Sequence, residues 1–449
     1  MLRPSFARKA YSGMISRRSF LSTSCSAFAV AKGFPSFETE PLISNGDLSF
    51  LRSLARDTVR SATKPDSAGS FGFEIVTPGG AYPSLWIRDF SMAAGCGLIP
   101  VKTLQAHLFA IAKAQNGSNA RYLGERAEIP AFAVPDHINF QGGAVFFPGT
   151  YSSGDDQGGE PFGKLPPVDD HYEFIHIAHC LWRRQKSTDF LSAQVGDDSL
   201  YERLVAALSC PEVDVESGLV VTGSERRAVG FGFCDGVTLT GKLLYASLLR
   251  YRALGELADL SRAYGHTDRL EEWARERKKI RASIAPTFES SGWLKASTGV
   301  GQQPDVWGTI AAVALDAVEK KDVFAKTLAK AVGAGTITFE GGVRHVPTDH
   351  DFSPTSAWEK TAGEELNRYQ NGAYWHVPSG HLAKVAWTVD KALARSLVRD
   401  MVAHFKAGDF RKGGDHGAPW ECFHPSGNYR QNPVYMASVT FPLEALSKL

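Results

Sequence analysis

The chain has 449 residues, 43% of them hydrophobic, enough to bury a large core in one big domain or two ordinary ones. Its 49 Lys and Arg are offset by 48 Asp and Glu, a formal net charge of +1, spread along the whole length. That balance offers no basic face to nucleic acid or to an anionic membrane, so the expected partner is small or neutral.

The first residues read as an address rather than as part of the fold. SRRSFLSTSCSAFAVAKG carries the pair Arg17 and Arg18, a moderately apolar stretch, and Ala29 and Ala31 at cleavage spacing. An export signal over 1–31, similar to the twin-arginine type, is expected to precede a single domain over 32–449, with a periplasmic or extracellular destination. Its serine-rich middle is too short and polar to span a bilayer, and no later segment looks transmembrane. Cys25 lies within this signal. The other cysteines, Cys96, Cys180, Cys210, Cys234 and Cys422, form no CxxC pair and no zinc-type cluster with His. Buried free thiols are expected, with no metal and no cofactor.

Apolar residues then recur at three- and four-residue steps over 48–62, 101–115, 171–185 and 199–209 in the first half. The pattern continues over 238–265, 269–289, 306–318, 323–335, 378–390 and 392–408, with shorter pieces near Ser91 and Ala437. About twelve helices and few strands make the class all-α. Hairpins stacked in a ring are favoured over a solenoid, because no motif repeats at a fixed period. Long loops separate the helices at Gly117–Asp170, Pro211–Gly236, Gly335–Gly372 and Gly408–Pro433, and loops of that length are usually functional.

The loops hold the unusual chemistry. YPSLWIRDF sets Arg88 and Asp89 between Trp86 and Phe90, where burial is expected. GFGFCDG places Asp235 ahead of a long helix, either as a cap or as a catalytic acid. PWECF encloses Glu421 between Trp420 and Cys422, and a carboxylate fixed in an aromatic setting is costly unless it is paired or functional. Asp305 in QQPDVWGT reads first as a helix cap. RYQNGAYWH gathers Tyr369, Gln370, Asn371 and Trp375, a mixture of hydrogen-bonding groups and flat faces suited to a polyhydroxylated ligand. LPPVDDHYEF puts Asp169 and Asp170 at a helix start, one as a cap and the other free to reach a ligand. Asp136, His137, Arg344 and His345 are polar insertions in loops, each weak on its own.

YPSLWIRDF, YQNGAYW and the late PWECFHPSG together resemble loops of the six-hairpin glycosidases, the group of glucoamylases, trehalases and glycogen-debranching glucosidases. The resemblance spans the chain beyond the signal in order and spacing. It implies an (α/α)6 barrel with a sugar pocket at one end of the helical ring. It further implies that Arg88 and Asp89 hold the sugar next to the scissile bond, their charges partly satisfying each other while offering directed hydrogen bonds; Trp86, Asp170, Tyr369, Gln370, Asn371, Trp375 and Trp420 are expected to complete the sugar site. The catalytic pair implied is Asp235 as general acid and Glu421 as base, in the chain order of the family. GFGFCDG departs from the acid segments of both glucoamylases and debranching enzymes, so the base is assigned more firmly than the acid.

The expected protein is therefore an exported, exo-acting glycoside hydrolase working on an oligosaccharide, by inversion. Alternatives on the same toroid are an unsaturated uronyl hydrolase, a polysaccharide lyase or a sugar epimerase. A carbohydrate-binding protein without chemistry is a further reading.

Overall fold

A computed structural model describes residues 40–228, 236–350, 365 and 367–447. Contacts divide the chain into Met1–Glu40 and Pro41–Leu449, and every described helix lies in the second unit. Twelve α-helices are described: α1 Asn45–Ala62, α2 Ile87–Ala94, α3 Val101–Ala114, α4 Asp170–Gln185, α5 Leu200–Ser209, α6 Leu244–Tyr264, α7 Leu270–Phe288, α8 Val306–Ala314, α9 Lys321–Gly333, α10 Ser379–Trp387, α11 Lys391–Ala407 and α12 Ala437–Ser447.

The even-numbered helices touch in succession, α2 to α4, α4 to α6, α6 to α8, α8 to α10, α10 to α12, and α12 back to α2. That last contact closes a ring of six. The odd-numbered helices pack outside it: α1 on α12, α3 on α4, α5 on α4 and α6, α7 on α6, α9 on α8 and α10, and α11 on α10. The architecture is the expected (α/α)6 toroid, since a solenoid would leave α2 and α12 apart.

Burial follows this division. In α2 every residue from Ile87 to Ala94 is buried, as an inner helix walled on all sides requires. In α11 the stripe Ala394, Leu397, Val398, Met401, Val402 and Phe405 is buried while the rest of the helix meets solvent. Starts are capped locally. Ser199 and Glu202 form a capping box on α5, and the Asp390 side chain accepts from the amides of Ala392 and Leu393.

One helix is shorter than its pattern. The apolar period from residue 238 yields helix only from Leu244, because Gly241 takes a φ of +80° and pairs with Lys242 as a strand against Val221–Thr222. The β-branched residues of TLTG and a left-handed glycine override the helical period there.

Ring closure depends on close approach. An added Cβ at Gly380 in α10 would lie 2.6 Å from the carbonyl oxygen of Pro442 in α12. Gly380→Ala is expected to force the two inner helices apart and cost about 1–3 kcal/mol. A lowered urea midpoint at unchanged m-value would report it; an unchanged midpoint would mean that this seam yields freely.

The N-terminal ends of the inner helices gather at one end of the ring. Arg88 in the first turn of α2 bonds Asp169 ahead of α4, Tyr435 ahead of α12 bonds Asp89, and Val306 of α8 bonds His345 in the stretch leading to α10. Short strands stiffen the loops above. Ser84–Trp86 pairs with His137–Asn139, which pairs with Ala144–Val145, setting Trp86 opposite His137. Trp420–Phe423 pairs with Arg430–Pro433. The excursion between α3 and α4 also has a small core of its own, Leu123, Ala127, Ile129, Ala133, Phe146 and Phe147.

Candidate active site

At that end of the ring lies a cavity of about 240 Å³, its walls including Tyr82, Trp86, Asp89, Tyr151, Tyr369 and Glu421. Glu421 is the most heavily held of these. The Tyr82 hydroxyl reaches Oε1 at 2.9 Å and Oε2 at 3.1 Å, and Asn432 Nδ2 donates to Oε2 at 2.5 Å. Tyr369 adds a further side-chain hydrogen bond. Tyr369 and Asn432 have φ of +42° and +36°, conformations that cost of order 1–3 kcal/mol and collect at functional sites. Burial pushes the Glu421 carboxyl up to about 8; the Asp89 charge adds to the shift, while the bonds from Asn432, Tyr82 and Tyr369 oppose it.

Arg88 and Asp89 turn to different partners, and the Arg88 charge favours the ionised Asp89 only in part. Adjacent residues on a helix project roughly a third of a turn apart, so each faces a different neighbour. Arg88 makes a fork to Asp169, Nε to Oδ2 at 2.7 Å and Nη2 to Oδ1 at 3.1 Å, and also meets Asp170 and Asp136 at 3.5 Å each. The guanidinium thus joins three buried carboxylates. Asp89 accepts from the Tyr435 hydroxyl instead. Burial brings Asp89 up to about 7 against the pull of that bond and of Arg88. Two neighbouring carboxyls that exchange protons near neutrality suit acid–base work.

Asp170 lies fully buried beneath Arg88, its carboxyl raised well above the usual range by burial. It braces the arginine and is not part of the cavity wall described above. Asp136 instead holds His137, Nδ1 to Oδ2 at 2.7 Å, and His137 stacks on Trp86 at 4.4 Å.

Tyr369 alone of the RYQNGAYW group reaches the cavity wall. Trp375 is fully buried behind it, 5.2 Å from its ring and edge-on to Trp307, while Asn371 is buried in the turn. Gln370 is buried and accepts from the Gly236 amide at 2.6 Å. Asp235, the residue before Gly236, lies outside the described residues.

Trp420 lies apart from this cavity. In an extended strand successive side chains point to opposite faces, so a strand that aims Glu421 at the cavity turns Trp420 away. Trp420 lines a separate cavity beside α11 with His404, under the Arg430 guanidinium. Asp305 caps α8, accepting from the Gly308 amide at 2.7 Å. Cys96, Cys180 and Cys210 are free thiols, and Cys234 lies outside the described residues.

No protein-family model and no curated protein matches the chain. Solved structures do. The GH63 mannosylglycerate hydrolase from Thermus thermophilus, in complex with glucose, aligns at a TM-score of 0.55 and 14% identity over 88% of this chain and 99% of its own. A rhamnosidase from Klebsiella oxytoca with rhamnose bound aligns at 0.53 and 12% over 90% of this chain and 64% of its own. A GH78 rhamnosidase of Bacillus sp. GL1 aligns at 0.54 and 11% over 89% of this chain and 34% of its own.

The chain has the (α/α)6 toroid fold that these structures share. It spans under two thirds of the Klebsiella rhamnosidase and about a third of the Bacillus one.

Within this six-hairpin toroid, sequence reasoning missed Tyr82, Tyr151, Asn432 and Tyr435. Tyr82 opens the WIRD segment and was the nearest to hand. Asn432 and Tyr435 carry no local motif, because what they touch lies on other elements: Tyr435 meets Asp89 from 346 residues away.

Proposed function

We propose that the chain is an exported, exo-acting glycoside hydrolase that works by general acid–base catalysis with inversion, Asp235 serving as acid and Glu421 as base. The observation that carries this reading is the buried Glu421, gripped by Tyr82, Tyr369 and Asn432 in the wall of a cavity that Asp89 shares. A volume of about 240 Å³ falls below the roughly 300–1,000 Å³ of drug-sized pockets and suits one sugar ring, which supports action at a chain end.

In the proposed reaction Asp235 gives its proton to the leaving oxygen while Glu421 takes one from the water that attacks the anomeric carbon. Inversion requires the two carboxyls to stand roughly 6.5–9.5 Å apart. The Gly236–Gln370 bond fixes the residue next in sequence to Asp235 at the same end of the ring, which supports the acid assignment.

The uronyl reading is less well supported. Among the described cavity residues the one guanidinium is already engaged by three carboxylates, and Arg344 lies over the Tyr374 ring while His345 stacks on Trp307. A sugar carboxylate would meet Asp89 and Glu421 without a cation to receive it, so a neutral sugar fits better.

A panel of aryl glycosides and short oligosaccharides, with NMR of the first-formed anomer, tests the reading. Release of a sugar of inverted configuration is expected. Double-bond chemistry, or binding with no product, would favour the uronyl or the non-catalytic alternative. Asp235→Asn should abolish hydrolysis of poor leaving groups and partly spare activated aryl glycosides, which need little protonation. Full activity of that variant on natural-type linkages would remove Asp235 from the acid role. Export rests on Arg17, Arg18 and the alanines that follow, within residues that lie outside those described. Retention of an Arg17→Lys/Arg18→Lys chain inside the cell would support it.

A further inference from the structure

We propose that Tyr151 is the binding platform for the leaving group, and that this group is itself a flat-faced ring, such as a second sugar. This rests on the glycosidase reading above and deepens it. The cavity has a depth gradient. Glu421, Asp89 and Arg88 are buried at its inner end, whereas Tyr151 is 50% exposed at its mouth. In an exo-acting pocket the sugar being released fills the inner end, so whatever leaves emerges past Tyr151.

The residue is held as a platform would be. Its ring makes T-shaped contacts with Trp86 at 5.6 Å and with His137 at 5.5 Å, and those two are stacked on each other. Its carbonyl accepts from Asn139 Nδ2 at 3.1 Å, and the Asn139 Oδ1 takes the amides of Gln141 and Gly143. A hydrogen-bonded loop therefore fixes the backbone while half of the residue stays exposed. Among the described residues nothing bonds the Tyr151 hydroxyl, so both a stacking face and a donor–acceptor are available to a ligand. Leaving half of a large aromatic ring in water is unfavourable for folding alone, and Tyr is the side chain that gives rigid contact area at little entropic cost.

The test compares two substrates that share the released sugar, namely a disaccharide and the corresponding glycosyl fluoride, whose leaving group has no ring. Tyr151→Ala is expected to lower the ratio of kcat/KM for disaccharide over fluoride by about tenfold, the size of a lost aromatic stack. Tyr151→Phe is expected to retain most of that ratio. Equal losses on both substrates would overturn the proposal, since the ring would then serve the fold or the inner sugar. So would an unchanged ratio. If the unaltered protein hydrolyses neither substrate, the glycosidase reading itself fails, an outcome distinct from either of these.

Discussion

Glu421→Gln is expected to abolish turnover while making the protein more stable in alkaline solution. Glutamine keeps an oxygen for the Tyr82 hydroxyl but cannot take a proton from water, and loss of a general base typically costs about 10²–10⁴-fold in rate. The stability effect follows from burial. The folded carboxyl titrates near 8 rather than at the ordinary 4.5, so the folded state holds this proton more tightly than the unfolded chain does. Its contribution is fully present below the unfolded value and disappears as pH rises through about 8. Asp89, raised to about 7, acts in the same direction. Each tenfold gain in proton affinity is worth about 1.4 kcal/mol, so ionising Glu421 costs on the order of 5 kcal/mol above pH 8. Thermal unfolding at pH 5 and pH 9 should show the variant gaining on the wild type only at the higher pH. The same burial sets the acidic limb of kcat/KM, which should lie well above 4.5 in the free enzyme. A limb at 4.5, or a variant with no alkaline advantage, would show that water already reaches this carboxylate.

Arg88→Met should do the reverse and damage the fold itself. The guanidinium is the shared partner of Asp136, Asp169 and Asp170, all buried, and removing one member of a buried ion cluster costs about 3–5 kcal/mol because the others are left unpaired. A loss of that size is a large share of the stability of an ordinary domain. Adding Asp169→Asn to the variant should restore part of it, since one stranded charge is then gone. Asp89→Asn provides the contrast: it keeps the acceptor for Tyr435, so it should fold normally while binding and turnover suffer. If Arg88→Met unfolds at the wild-type temperature, the cluster does not support the ring.

The helices were legible because amphipathic periodicity is a local signal, repeated within each segment. Even the short inner helices α2 and α12 left traces near Ser91 and Ala437. Closure of the ring was not legible in that way, because α12 meets α2 across most of the chain. The site divides likewise. WIRD pointed to Arg88 and Asp89, yet their partners lie 48, 81 and 346 residues off, where no spacing rule reaches. Trp420 differs from its neighbour Glu421: the two-residue period of a strand sets the two on opposite faces, and Trp420 lines another cavity.

The order in which the ring is assembled during synthesis follows from its last contact. Arg88, Asp89 and the aspartates around them emerge early, but α2 has no neighbour on its other side until α12 has been made. Glu421 and Tyr435 arrive in that same late stretch. A nascent chain therefore holds Arg88 and Asp89 for a long time without the wall that completes their cavity. Such long-range closure slows folding and leaves apolar inner helices open to one another's copies. Release of a finished, already folded molecule is the regime that suits it.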